Sequence, residues 1–182
     1  DDAPYTYAGA NGKSVNNYDR RYRGFTTLRE AITDSINIVT VKTLAQAGVS
    51  LGWQYVQEYG FTTVDSRDMN EALALGGITQ GVSNLELTAA YAAIANQGTY
   101  IRPKFYTKIL DHDGNVLIDN TTPESHTVIK DTTAWLLTSA MEDVMTSGTG
   151  TSAYFGSSMA QAGKSGTTTS SRDALFAGYT PY

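Results

Sequence analysis

Apolar residues follow a helical period through the first half of the chain and change to short alternating runs near residue 101. Thr27-Leu28-Arg29-Glu30 has the form of a capping box, in which hydroxyl and carboxylate satisfy each other's free backbone donors, and predicts a helix through Ala31 and Ile32. Helical spacing resumes at Val39, Val41 and Leu44 and stops at Gly48, a C-terminal cap. Ser50 is expected to cap a short helix through Trp53, Tyr55 and Val56 that Gly60 ends, while Phe61 to Leu75 has no clear period. A second capping box, Ser83-Asn84-Leu85-Glu86, has Val82 and Leu87 at the positions of a hydrophobic staple. It opens a helix whose face of Leu87, Ala90, Tyr91 and Ile94 is expected to be buried.

Beyond Ile101, the runs Phe105 to Leu110 and Val116 to Ile118 flank Asp111-His112-Asp113-Gly114-Asn115 and predict a hairpin. Asp131 is expected to cap a helix with Trp135, Leu136, Ala140, Met141 and Val144 facing inward, followed by Ser147-Gly148-Thr149-Gly150-Thr151. Gly163 to Thr169 and Ala174 to Tyr179 form a last hairpin around Ser170-Ser171-Arg172-Asp173. Asp1 to Gly24 has neither period and reads as an ordered surface loop. Helices early and strands late argue for an α+β fold with an antiparallel sheet.

Candidate chemistry lies where this pattern is broken. The first strand of the last hairpin is too hydroxyl-rich for a core strand. Lys164 with Ser165, Thr167 and Thr168 supplies an ammonium and hydroxyls suited to a carboxylate, and Gly166 would let another backbone approach closely. Alternation puts Lys164 and Gly166 on one side and Ser165 and Thr167 on the other, so only a strand edge bordering a cleft presents all four. Ser35 and Asn37 would point about 200° apart on an unbroken helix. If both serve one cleft, the helix must break within Asp34 to Ile38.

Composition narrows the classes. The 182 residues are 41% hydrophobic, enough for a sizeable core. A formal charge of −5 without a basic block argues against a nucleic-acid partner. The absence of cysteine excludes disulfides, zinc–thiolate sites and a cysteine nucleophile, and leaves the compartment open. No apolar run approaches the 18 residues or so of a membrane span. His112 and His126 are expected at the surface, in a turn and a polar loop, without metal-ligand spacing. Asp111 and Asp113 read as turn chemistry and not as a calcium loop, and Trp53 and Trp135 are expected in the core.

Taken in order, several landmarks resemble the transpeptidase domain of class A penicillin-binding proteins, within the penicillin-binding and serine β-lactamase superfamily, over nearly the whole chain. They are Asn17-Tyr18-Asp19 with Tyr22-Arg23-Gly24; Thr27 to Ala31 leading into Ser35-Ile36-Asn37; Leu75-Gly76-Gly77 through Gly81-Val82 and Leu85-Glu86-Leu87 to Tyr91-Ala92; Gly148-Thr149-Gly150; and Lys164-Ser165-Gly166-Thr167. The resemblance implies an antiparallel sheet packed with helices plus a helical subdomain. It implies an enzyme without cofactor or metal that attacks the D-alanyl-D-alanine end of a peptidoglycan stem peptide, passes the acyl group from a serine to an amine on a neighbouring stem, and binds β-lactam antibiotics.

On this resemblance Ser35 and Lys164 belong to a proton relay, Asn37 binds the substrate amide, and Ser165 and Thr167 hold the terminal carboxylate. The Thr167 N–H is then one donor of the oxyanion hole, beside Gly166. Ser165 stands where the family usually has threonine. The family's Ser-x-x-Lys motif does not precede Ser35, since Ser14 is followed three places on by Asn17 and no other serine lies before Ser35. Residues 1–182 are therefore expected to be the C-terminal part of a transpeptidase domain, an internal fragment, inactive alone and needing a complementary segment of its own domain. Its parent is expected on the extracytoplasmic face of a bacterial membrane, anchored through a region outside this chain. A D,D-carboxypeptidase or β-lactamase-like hydrolase and a non-catalytic scaffold or sensor of the same fold are the alternatives. If the resemblance holds, Ser35, Asn37 and Lys164 converge, with the Ser35 hydroxyl and the Lys164 ammonium about 3 Å apart.

Overall fold

A computed structural model describes residues 1–8 and 13–181. The N-terminal segment, expected as surface loop, contains a two-stranded ribbon of β1 (Tyr5–Thr6) and β2 (Ser14–Val15), and Asp2, Val15 and Asn17 within it are buried. Helices α1 (Leu28–Thr33), α2 (Asn37–Ala47) and α3 (Val49–Glu58) follow, then two 3-10 turns at Ser66–Asp68 and Glu71–Leu75. Next come α4 (Asn84–Ala95), β3 (Thr99–Ile101), the hairpin β4 (Lys108–Leu110) and β5 (Val116–Asp119), β6 (Ser125–Thr127), α5 (Asp131–Thr146), and finally β7 (Ala162–Thr167) and β8 (Ala174–Tyr179). The fold is mixed α+β, and its antiparallel pairs stay separate two-stranded ribbons: β1 with β2, β3 with β6, β4 with β5, β7 with β8.

The break between α1 and α2 has a complete local explanation. Ser35 takes a left-handed conformation, φ 56°, just past the end of α1. Its N–H donates to the Ile32 carbonyl at 3.3 Å, and the N–H of Ile36 donates back to the Ala31 carbonyl at 2.9 Å, the paired bonds of a Schellman ending. Ile36 is buried against Ala31 and Val39, so an apolar contact locks the reversal. A new helix then starts at Asn37.

Several expectations need correction. Ser50 does not cap α3, which starts one residue earlier with Gly48 at the N-cap. Asp131 is the first residue of α5, and Lys130 precedes it without a side-chain cap. Trp135 and Leu136 are not core residues: they are 67% and 58% exposed, because α5 buries Ala134, Ala140, Met141, Val144 and Met145, and Trp135 lies about 240° around the helix from Met141. Trp53 is half-buried, with its indole N–H donating to the Asp65 carbonyl. On α4 the buried positions are Ala89, Ala90 and Ala93, while Tyr91 and Ile94 are half-buried. His126 lies on β6 opposite Tyr100 and not in a loop. The ribbon β3–β6 closes tightly beneath α4: Gly98 has φ +87°, and a Cβ there would strike the Ile129 carbonyl.

Helix α5 packs along β7 and against α1, with Arg29 of α1 bound to Asp143 at 2.6 Å and to the Ser139 carbonyl at 3.0 Å. Helix α4 packs against β8 and α5. Glu86 ties α4 to the irregular segment before it. One carboxylate oxygen accepts from the Ser83 N–H and hydroxyl, and the other from the Thr62 hydroxyl at 2.6 Å and the Thr62 N–H at 2.9 Å. Chiefly the Thr62 hydroxyl, with the Ser83 N–H next, pulls the Glu86 carboxyl down to about 2 from an ordinary value near 4.5. A carboxyl lowered on folding stabilises fully above its unfolded value and loses that contribution as pH falls through its folded value. Glu86→Gln is therefore expected to cost about 1–2 kcal/mol at neutral pH. In urea titrations the gap between variant and wild type should close as pH drops from about 4.5 toward 2; a gap unchanged by pH would remove the carboxylate from this role.

Candidate active site

Strand β7 is buried at Ala162 and Gly163, then turns outward through Lys164 and Ser165 to exposed Gly166 and Thr167. Its neighbour β8 pairs along all six residues. Every residue from Lys164 to Ser170 borders an open cleft of about 940 Å³, whose other walls include Asn37, Tyr7, Gly77, Ile78 and Tyr91. Consecutive residues of a strand line one cavity only along an edge, the arrangement that presents ammonium and hydroxyls together. Gly166 is not crowded by protein backbone, since a Cβ there would meet nothing within 4 Å. The close approach falls at Gly163, where a Cβ would collide with Phe176. A second groove of about 650 Å³ between α4 and β8 is lined by apolar and neutral polar side chains and offers no charge.

Lys164 reaches across the chain. Its Nζ donates to Ser35 Oγ at 2.8 Å, 129 residues away in sequence, and to the Ser165 carbonyl at 3.2 Å. Burial pushes the Lys164 pKa below the usual lysine value, because a desolvated ammonium is less stable than the amine. A lysine that gives up its proton more readily, bonded to a hydroxyl, can move protons. Ser165 Oγ donates to Thr149 Oγ1 at 2.9 Å.

The first turn of α2 is held by the N-terminal segment. Asn37 Nδ2 donates to the Asn16 carbonyl at 2.9 Å, and the Ile38 N–H donates to Asn17 Oδ1 at 3.2 Å. Asn17 in turn donates through Nδ2 to both oxygens of Asp2, at 2.8 and 3.0 Å, and to the Arg21 carbonyl. Asp2 is fully buried, accepts the Arg23 N–H at 3.0 Å, and has the Arg23 guanidinium 3.6 Å away. A buried carboxylate so surrounded is compensated and holds the loop in place.

Two further buried acids shape the cleft wall. Glu71 accepts from the Tyr5 hydroxyl and the Ala8 N–H, both at 3.0 Å. Asp68 accepts from the Thr79 hydroxyl at 2.6 Å and N–H at 2.7 Å, and these bonds, the hydroxyl's first, lower its pKa.

Asn37, Lys164, Ser165, Gly166 and Thr167 thus line one cleft, and Ser35 joins them through its bond to Lys164. Sequence reasoning missed the supporting roles of Asp2, Asn17, Asp68 and Glu71, which rest on bonds between separate segments, and noted Gly148-Thr149-Gly150 without a role. Among the described residues no group of three or more His, Asp or Glu side chains could hold a metal ion.

The family described as the penicillin binding protein transpeptidase domain matches this chain over residues 1–182. Penicillin-binding protein 1F of Bacillus subtilis is 40% identical over 171 residues, which are 91% of this chain and 23% of that protein. This chain therefore spans about a quarter of the length of such relatives. Among solved structures, penicillin-binding protein 1A from Haemophilus influenzae superposes with a TM-score of 0.84 at 25% identity, covering 98% of this chain and 32% of that one. Penicillin-binding protein A from M. tuberculosis, in its imipenem acyl-enzyme complex, shares the fold with a TM-score of 0.82 at 18% identity, over 98% and 44% of the two chains.

The left-handed Ser35 gives a clean test of the junction. Ser35→Gly and Ser35→Ala both remove the hydroxyl, so their difference isolates the backbone. The glycine variant is expected to be more stable by about 1 kcal/mol in urea unfolding. Equal midpoints would mean that the reversal carries no strain.

Proposed function

This chain belongs to the penicillin-binding protein transpeptidase domain family, and on that premise we propose that it is part of a serine-type peptidoglycan D,D-transpeptidase. The bond between Lys164 Nζ and Ser35 Oγ at the cleft is the observation that carries this reading. Residues 1–182 form the later part of the domain, and the nucleophilic serine lies outside them, since no serine here is followed three places on by lysine.

In the reaction, that serine gives its proton to the lysine of its Ser-x-x-Lys motif, outside this chain, and attacks the carbonyl of the penultimate D-alanine of a stem peptide. The departing D-alanine nitrogen takes a proton from the Ser35 hydroxyl, which Lys164 resupplies. An amine of a neighbouring stem then attacks the acyl-serine ester, returning a proton to the Ser35–Lys164 pair, while the departing serine regains its proton from its own motif's lysine and the cross-link is complete. The lowered pKa of Lys164 suits it to both directions of transfer. Asn37 orients the substrate amide, the Ser165 and Thr167 hydroxyls hold the terminal carboxylate, and the Thr167 N–H beside Gly166 donates to the oxyanion. The same carboxylate and acyl sites take β-lactams. The protein acts on the extracytoplasmic face of a bacterial membrane, anchored by a part outside this chain; among the described residues no helix is long and apolar enough to cross one.

Intact-mass analysis after incubation with benzylpenicillin tests the proposal. The full-length protein should gain one penicillin, and the 182-residue chain alone should gain none. Lys164→Ala in the full-length protein should slow acylation by about 10²–10⁴-fold. The acylation rate of the wild type should fall as pH rises through a pKa below the usual lysine value of 10.5, because Lys164 must carry its proton to resupply Ser35. Acylation of Lys164→Ala at the wild-type rate, or a stable adduct on the 182-residue chain, would overturn the assignment.

A further inference from the structure

The contact between Ser165 and Thr149 is not used by the reaction as written, yet its surroundings are unusually constrained. Ser165 has a small side chain with three staggered wells at χ1, and its Oγ donates to Thr149 Oγ1 at 2.9 Å. That bond selects one well. Thr149 is suited to impose it, because a β-branched side chain is itself stiff at χ1 and its backbone is pinned. The Thr149 N–H donates to the Thr33 carbonyl at the end of α1, at 3.2 Å.

The glycines on either side leave the loop no slack. A Cβ at Gly148 would strike the Thr33 carbonyl. At Gly150 it would lie 3.1 Å from the Val144 carbonyl and 3.0 Å from Met145 Sδ. Thr149 is therefore seated on the seam between α1 and α5, and Ser35 lies two residues beyond Thr33 on the same seam. Two adjacent residues of β7, Lys164 and Ser165, are each aligned by a hydroxyl from this one place.

We propose that Thr149 is a positioning residue of the cleft, orienting the Ser165 hydroxyl toward a free carboxylate on the substrate and so favouring acyl donors that carry one. The proposal rests on the transpeptidase reading of the site. With the cleft empty, Ser165 donates to Thr149. When a carboxylate enters, the Ser165 hydrogen turns to it, and the Thr149 hydroxyl reverses to donate to Ser165 Oγ. Each hydroxyl can donate one bond while accepting another, so the pair forms a short polarised chain ending on the anion. No covalent bond changes; only two hydroxyl rotors turn.

The test uses the full-length protein and two probes, benzylpenicillin and its methyl ester, with acylation followed by intact mass under single-turnover conditions. Thr149→Val should slow acylation by benzylpenicillin roughly tenfold, the scale of one hydrogen bond to a charged group, and leave the methyl ester within about twofold of wild type. Thr149→Ser, which restores a hydroxyl, should recover most of the rate. Ser165→Ala should show the same loss, and Thr149→Val with Ser165→Ala should lose no more than Ser165→Ala alone.

The proposal is overturned if Thr149→Val matches wild type with benzylpenicillin, if it slows both probes equally, as a purely structural defect would, or if the double variant loses the product of the two single effects. A wild-type protein that reacts with neither probe, or with both at equal rates, would instead overturn the site reading beneath it.

Discussion

Everything around the cleft depends on one contact between distant parts of the chain, the half-buried ammonium of Lys164 on the hydroxyl of Ser35. Moving a lysine away from water disfavours its charge, and its two partners, a hydroxyl and a carbonyl, accept hydrogen bonds without neutralising it. The proton is therefore held less tightly than on a surface lysine. This requires the Ser35 hydroxyl to reach Lys164 while Asn37 lines the cleft, which a continuous helix, turning the two about 200° apart, would not achieve. The left-handed residue that ends α1 and the buried Ile36 that follows it provide the reversal. A glycine would adopt that conformation more easily, so a serine there trades some backbone ease for a hydroxyl at the site.

The irregular segments near the cleft are fixed by buried or half-buried acids, used as acceptors for backbone donors. Asp2 takes the Arg23 N–H, Asp68 the N–H groups of Asp65 and Thr79, Glu71 that of Ala8, and Glu86 those of Thr62 and Ser83. Backbone outside helices and ribbons must find partners or lose about 1–3 kcal/mol per buried group. A carboxylate has room for several such bonds, so one side chain can organise a loop. These acids therefore look like active-site groups in composition and act as scaffolding in the structure.

The strands contribute differently. Each pair stands alone as a ribbon, and helices supply the packing: α5 lies along β7, and α4 against β8. Support from α5 beneath the buried start of β7 lets its hydroxyl-rich end face the open cleft without losing register. Family membership and the structural matches agree with this layout, since they cover nearly the whole chain with a high TM-score at modest identity. The arrangement is retained where most side chains differ.

Local signals in the sequence determined the elements that local physics governs. The capping boxes at Thr27 and Ser83, the cap at Gly48 and the last hairpin all appear as read, because caps and turns are settled by neighbours within a few residues. The need for a break between Ser35 and Asn37 was also legible, since it follows from helix geometry. The resemblance of the motifs named the family. Tertiary structure alone decided which apolar faces are covered. Trp135 and Leu136 belong to an amphipathic pattern, yet α5 turns its alanine and methionine side to β7 and leaves them outside. The pairing of β3 with β6 joins residues more than twenty positions apart and has no local signature. The roles of Asp2, Asn17 and Thr149 arise in the same way, from the convergence of separate segments whose identities give no sign of one another.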